Sequence, residues 1–524
     1  MTVSTTLSEQ LAAITGSDQV LVGEAGSALY TDVYRQLETP LAVVRPSEVE
    51  QLQDIVRLCA REGIAVNIRG GGASYTDGYL ADSPNQLLID LSQLNRIVEI
   101  NEEDAYVTVE AGTTWETLKQ ALDERGLRTP FWGPFSGMIA TVGGSMSQNT
   151  ISHGSGAHGI SAQSALSMDV VMADGALLRT GSASATDSPF LRYFGPDLTG
   201  LFTGDCGSLG IKARITLPLL KQRPAHRNVS FAFPDFGSMH KSMRLIAQER
   251  LEDTHFSLDG ALSQGQIARQ DNAGDTLRIA LSILNSSPSW WEGFKQLASA
   301  GLSARRIIGK SAYMTHYIVE GIDDSEVKSR LHRIRQLVTG LGTEIPATAP
   351  SVVRGMPFAP FYNTLGPNGE RWVPLHGILP HSRVPGFHTA LVDLFHSREA
   401  EMKRLGIWHG GMFATVGSSG FLYELALYWP DEITDYHRAV VPADYLAQLP
   451  VYESNAEARA YVHELKQALT DLYVSHGAVN FQLGKAYPYR ERLQAPALDL
   501  IRNIKQHLDP GHSLAAGNLG LLED

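Results

Sequence analysis

Cysteine is nearly absent from this 524-residue chain, with only Cys59 and Cys206. Two thiols exclude a disulfide framework and a four-cysteine zinc site, and they suit a reducing compartment. Positive charge is also scarce. Against 56 Asp and Glu there are 43 Lys and Arg, a formal net charge of −13, so the broad basic footprint of a nucleic-acid or anionic-membrane binder is missing, although a local basic patch is not excluded. No stretch approaches the ~20 apolar residues of a membrane span, and MTVSTTLSEQLAAITG has neither the basic nor the apolar region of a leader. The expected location is the cytoplasm. What the chain does have is length, 43% hydrophobic composition and 49 glycines, which fit a soluble globular protein of two domains.

Much of that glycine is clustered. PLAVVRP reads as a strand, and Ser47 with Glu50 forms a capping box ahead of a helix whose apolar face is Val49, Leu52, Ile55, Val56 and Cys59. The strand IAVNIR then runs into Gly70-Gly71-Gly72-Ala73-Ser74-Tyr75. Without Cβ atoms, several amides can converge on an anion, and a diphosphate is the natural guest. The pattern is neither GxxxxGK[ST] nor a GxGxxG that opens a helix, so Walker and Rossmann readings fit badly. A second glycine-rich segment, residues 133–159, lacks helix or strand periodicity, which predicts a loop organised by ligand contacts. A third, TGDCGSLGIKARITLPL, is a glycine-bounded turn feeding a strand from Lys212 to Leu219.

With IRGGGASYTDG, ATVGGSMSQNT, DVVMADGALLRTG, TGDCGSLGIKARITLPL and LDPGHSLAAGNLGL in that order, the chain resembles the FAD-dependent vanillyl-alcohol oxidase and p-cresol methylhydroxylase superfamily. The resemblance implies an α+β protein: a PCMH-type FAD-binding domain over residues 1–225, an inserted α+β cap or substrate domain on an antiparallel sheet over 226–475, and a tail, 476–524, returning to the first domain. Strand-like VSFAFP, LRIALSI, AYMTHYIV, RWVPLHGIL and FLYELALYW, with helical stretches at 326–340 and 384–405, agree with such a cap. The cofactor implied is FAD. Its expected partners are Arg69, Gly70, Gly71, Gly72, Ala73, Ser74 and Tyr75 in the first loop, and Thr141, Val142, Gly143, Gly144, Ser147 and Asn149 in the second. Gly207, Ile211 and Asn518 complete the set. Ala73 stands where some relatives carry a histidine bonded to FAD, so attachment is expected to be non-covalent, with His409 or Tyr423 as the other candidates.

Catalytic groups are less legible. Tyr75 matches the pyrophosphate-loop tyrosine of phenol-oxidising relatives, whereas Phe481-Gln482 and Ser152 replace their Tyr-Arg pair and aspartate. The remaining candidates are His153, His376, His409 and Lys485, with His381, Tyr487 and Arg354 beside them: a histidine takes an alcohol's proton near neutral pH, and a cation binds a carboxylate or enolate oxygen. No catalytic metal is expected, because zinc-site spacings and the GDGNxH signature are missing. Aromatic residues such as Trp372, Phe358 and Tyr487 suit a flat substrate. The reading is an FAD-dependent oxidase or dehydrogenase acting on an aromatic, lignin-derived type of alcohol or phenol, with dioxygen or another acceptor and a homodimer as the common form of relatives. The alternatives are a D-lactate-type 2-hydroxyacid dehydrogenase and a flavin-binding protein with a degenerate site.

Overall fold

Burial of one stripe makes the helix ahead of the glycine loop. In the computed structural model, which describes residues 5–269, 312–358 and 361–521, the Val49–Glu62 helix buries Val49, Leu52, Ile55, Val56 and Cys59 and ends at Gly63 with φ 63°. Its cap lies one residue beyond the expected box. Glu48 is the N-cap and Gln51 closes the box, because the Gln51 amide oxygen accepts both the Ser47 and Glu48 amides at 2.9 and 3.3 Å while Glu50 faces solvent.

This helix crosses from β2 (Val43–Val44) to β3 (Ala65–Arg69), and both strands lie parallel to β4 (Gln86–Asp90). Adding β1 (Val20–Leu21) on the β2 edge gives a four-stranded sheet. A second, antiparallel sheet runs β5 (Ile97–Asn101), β6 (Tyr106–Glu110), β10 (Ile211–Pro218), β8 (Ser167–Val171) and β9 (Leu177–Arg179). The short pair β7 (Leu127–Arg128) and β11 (Leu220–Lys221) hangs below it.

The segment 133–159 is not the irregular loop its composition predicts. It contains two short helices, Val142–Gln148 and Ser155–His158. The first is held by tertiary acceptors in place of apolar periodicity: the Val142 and Gly143 amides donate to the Thr113 and Ala111 carbonyls at 2.9 Å each, and the Gly144 amide donates to the Thr141 hydroxyl.

From Ala225 onward one seven-stranded antiparallel sheet takes over, in the order β15 (Thr343–Ile345), β12 (Ala225–Phe233), β14 (Tyr313–Gly321), β13 (Thr254–Asp259), β17 (Trp408–Val416), β18 (Gly420–Trp429) and β16 (Arg371–Pro380). The expected strand LRIALSI lies outside the described residues. Strand alternation gives this sheet two faces. Odd-numbered Phe413, Phe421, Tyr423, Leu425 and Leu375 join the core with Phe387 and Leu391 of the Val384–Arg404 helix and Leu469 and Tyr473 of the Ala456–Ser475 helix. The even-numbered face meets the first domain, where Ile378, Leu422, Ala414 and Val416 pack with Ile151. Leu514 in the tail bridges back to Val66, and Lys505, buried, ties Ser208 and Leu514 carbonyls at 2.7 and 3.0 Å.

Candidate active site

The glycine loop after β3 is shaped from behind. Arg69 turns back to donate to the Gly70 and Gly71 carbonyls at 3.1 and 3.2 Å, and Asp90 holds its charge at 3.2 Å. The Gly72 carbonyl accepts the hydroxyls of Tyr436 (2.9 Å) and Tyr79 (3.4 Å), and the Ser74 carbonyl accepts the Val33 amide. With the carbonyls drawn to one side, the amides of Gly71, Gly72, Ala73, Ser74 and Tyr75 have no acceptor among the described residues. That is the donor set of an anion nest.

The glycines serve a second purpose. A Cβ on Gly71 would collide with the Ile139 carbonyl oxygen, and one on Gly70 would lie 2.5 Å from the Thr141 hydroxyl, so the two loops touch through missing side chains. Between them lies a cleft lined by Gly70 to Ser74, Thr141, Gly143, Gly144, Ser147, Gly207 and Ile211. Of the expected partners, Arg69 stands behind the nest, Val142 is buried in the core and Asn149 caps the helix at φ 53°. Asn518 donates from Nδ2 to the Gly78 and Cys206 carbonyls at 2.8 and 2.7 Å, clamping the walls. Tyr79, Gln148, Cys206, Lys212 and Gln482 also line the cleft and were not expected there.

Strain concentrates around the same cleft. Asp77, Asn149, Cys206, Gln482, Ala515 and Leu519 all hold positive φ without being glycine, a conformation that costs on the order of 1–3 kcal/mol and persists where surroundings dictate it. The free nest, the glycine contacts and this strain fit an FAD diphosphate and the ring system beyond it.

Tyr75 leads out of the nest toward the cap. Its ring meets Trp372 and His376 edge-on, with centroids 5.7 and 5.8 Å apart. Gln482 lies within hydrogen-bonding reach of the Tyr75 hydroxyl and 3.2 Å from His376 Nε2, while Phe481 stacks on the imidazole at 3.9 Å. Phe481 and Gln482, which stand where the resemblance implies a Tyr-Arg pair, therefore hold His376 in place. Burial pushes that imidazole down to about 3, so it is neutral, and its Nδ1 has no partner among the described residues.

Register adds a residue that the sequence reading missed. On the even face, Glu424 of β18 pairs directly with His376 of β16 and Met412 of β17. Its carboxylate makes no hydrogen bond or ion pair among the described residues, and burial pushes it up to about 7. The signal available in sequence is a lone acid inside the apolar run FLYELALYW, since an unpaired, half-buried acid on a packed sheet face is uncommon.

The other candidates are not brought together here. His409 is on the odd face, stacked on Phe395 at 3.7 Å. Tyr423, also odd, binds His388 Nδ1 at 2.9 Å. His153 is buried, stacked on Trp132 at 4.5 Å, with Nε2 donating to the Pro357 carbonyl at 3.0 Å and its pKa pushed down to about 4 by burial. His381 pairs with His240 at 3.2 Å. Lys485 donates to the Leu80 and Asp77 carbonyls at 2.8 and 3.3 Å, fastening the chain after the nest. Arg354 pairs with Glu320 at 3.1 Å.

Comparison with known proteins agrees with the cofactor and the fold. Residues 40–181 match the family described as FAD binding domain. The chain is 29% identical over 214 residues to glycolate oxidase subunit GlcD of Bacillus subtilis, covering 40% of this chain and 44% of that one. It is 27% identical over 259 residues to the 4-cresol dehydrogenase [hydroxylating] flavoprotein subunit of Pseudomonas putida, covering 47% and 48%. The matches thus span about half the length of these curated relatives. Among solved structures, p-cresol methylhydroxylase with substrate bound superposes with a TM-score of 0.71 at 18% identity, covering 98% of this chain and 96% of that one. Residues 40–181 are therefore similar to the FAD binding domain family, and the chain around them has the two-domain, α+β fold of p-cresol methylhydroxylase.

Proposed function

We propose that the protein is an FAD-dependent oxidoreductase that oxidises an uncharged aromatic alcohol or phenol, with Glu424 as the proton acceptor. The observation that carries this reading is the electrostatic character of the even face: Tyr75, Gln482, Tyr487, a neutral His376 and an unpaired Glu424 converge there, and none of them is a cation. A carboxylate substrate needs a cationic partner, and the two candidates for that task lie away from this face: Arg354 is beside Glu320 in a separate cleft, and Lys485 is on the Leu80 carbonyl. An aromatic ring finds Trp372, Tyr75 and Phe361 around it.

The free amides of Gly71 to Tyr75 would hold the cofactor diphosphate, with Ser74, Ser147 and Gln148 beside it. When bound, FAD supplies the hydride-accepting ring. The protein's own task is the proton. Glu424, held near neutrality by burial, receives it from the substrate hydroxyl as the carbon–oxygen double bond forms, while Tyr75 and Gln482 orient the oxygen. His376 is neutral at this pH, with the Nε2–H directed at the Gln482 amide oxygen and Nδ1, which has no partner among the described residues, left as the acceptor. Its backbone amide donates to the Tyr487 hydroxyl at 3.1 Å, which sets the strand's position.

A second reading, a 2-hydroxyacid dehydrogenase, is favoured by the similarity to glycolate oxidase. We place the protein in the cytoplasm because both cysteines are unpaired and buried; among the described residues no helix is long and apolar enough to cross a membrane. The deciding experiment is anaerobic bleaching of the purified holoprotein's visible absorbance by aryl alcohols, phenols, glycolate and D-lactate in turn. Bleaching by the first two classes, slowed ~100-fold or more in Glu424→Gln at unchanged FAD content, is expected. Bleaching by the hydroxyacids alone overturns the proposal.

A further inference from the structure

We propose a second ligand site: a cleft of about 360 Å³ between the two domains that takes a small aromatic carboxylate. Trp115 separates it from the cofactor cleft. The indole lines the second cleft, and its Nε1 donates at 2.8 Å to the hydroxyl of Ser145, which lines the first.

Charge is the first argument. On a chain with a formal net charge of −13, this cleft gathers Lys119, Arg128, Arg223 and Arg354 around only Asp123 and Glu320. Lys119 is spent on Asp123. Arg128 and Arg354 share one carboxylate, Glu320, at 2.6 and 3.1 Å, so one positive charge between them is left over. Arg128 Nη2 and Arg354 Nη1 have no partner among the described residues, and the two side chains are 15% and 24% exposed. Arg223 adds a cation at the rim, also without a partner among the described residues. Guanidinium nitrogens that face an opening in this way are suited to a planar carboxylate.

The wall is the second argument. Trp132 and Leu127 line the same cleft, and Trp132 is fixed from behind by its stack on His153. An anion carrying a flat apolar body satisfies both features, whereas a bare inorganic anion uses only the first. The two arginines come from different domains, Arg128 from β7 and Arg354 from the Thr348–Gly355 helix of the cap, so an occupant would bridge them.

Calorimetric titration of the holoprotein with benzoate tests this, with acetate and inorganic phosphate as controls and the visible flavin spectrum recorded in parallel. Saturable benzoate binding is expected, weakened ~10-fold or more in Arg354→Gln and again in the surface variant Arg223→Gln, with acetate and phosphate weaker and the flavin spectrum unchanged. Arg223 is exposed and makes no hydrogen bond or ion pair with a described residue, so its variant keeps the test valid if Arg354→Gln fails to fold. No saturation at millimolar benzoate overturns the proposal. So does binding indifferent to both substitutions, or binding that shifts the flavin bands, since either places the ligand elsewhere; this outcome is independent of which substrate bleaches the flavin.

Discussion

A carboxylate with no partner on a sheet face is an expensive residue to keep, and Glu424 is one. Its pKa, raised by burial from the usual 4.5 to about 7, gives a signed prediction. The base form exists above that value, so the rate of flavin reduction should climb as pH rises through about 7, and Glu424→Gln should be slow at every pH. A profile in which the wild type is flat from pH 6 to 8 counts against the role. Linkage has the opposite sign for stability: a raised carboxyl favours the fold below about 4.5, and that contribution is lost as pH rises through 7. The sequence shows this acid plainly enough, but not its direction. In β18 one step of register would exchange the two faces, and only pairing with His376 fixes Glu424 toward the first domain. The same ambiguity made His409 plausible, although β17 turns it to the helix layer.

At the scale of an element, the nest is a loop with its carbonyls tied and its amides free. Gly71→Ala tests the packing half of that design. The added Cβ must displace the Ile139 carbonyl, so the variant is expected to lose roughly 1–3 kcal/mol of stability and most of its flavin, read by the ratio of visible to ultraviolet absorbance after gel filtration. Full retention of FAD would show that the loops can separate cheaply. The loop itself stood out in the sequence because three glycine-rich segments follow one another, a single such turn being as often structural. The Val142–Gln148 helix was not readable, since its geometry is set by the carbonyls of Thr113 and Ala111, acceptors far away in sequence. Asn518, expected beside the cofactor, also clamps the cleft walls, a role that only the tail's return path explains.

For the whole molecule, the buried histidines are expected to dominate the response to acid. Burial pushes His153, His240, His255, His316 and His409 down to about 4 and His376 to about 3, from an unfolded value near 6.5. Each favours the fold above 6.5, and that contribution is lost as pH falls toward 4. Asp32, Glu252 and Glu424, raised to about 7, and Asp259, raised to about 6, pull the other way. Six imidazoles outweigh four carboxyls, so the melting temperature by calorimetry should drop between pH 6.5 and 4; a level or rising trend would mean the histidines are not neutral in the fold. The two-domain plan was legible from the order of the glycine segments, whereas the join between domains was not, because it depends on single contacts. One of these is the Gly72 carbonyl, shared by Tyr79 of the first domain and Tyr436, which follows the cap sheet. Lifting the cap pulls on the oxygen that aims the nest. The dwell time of the cofactor is then expected to track the opening of the cap, read as the rate of flavin loss from a dilute sample.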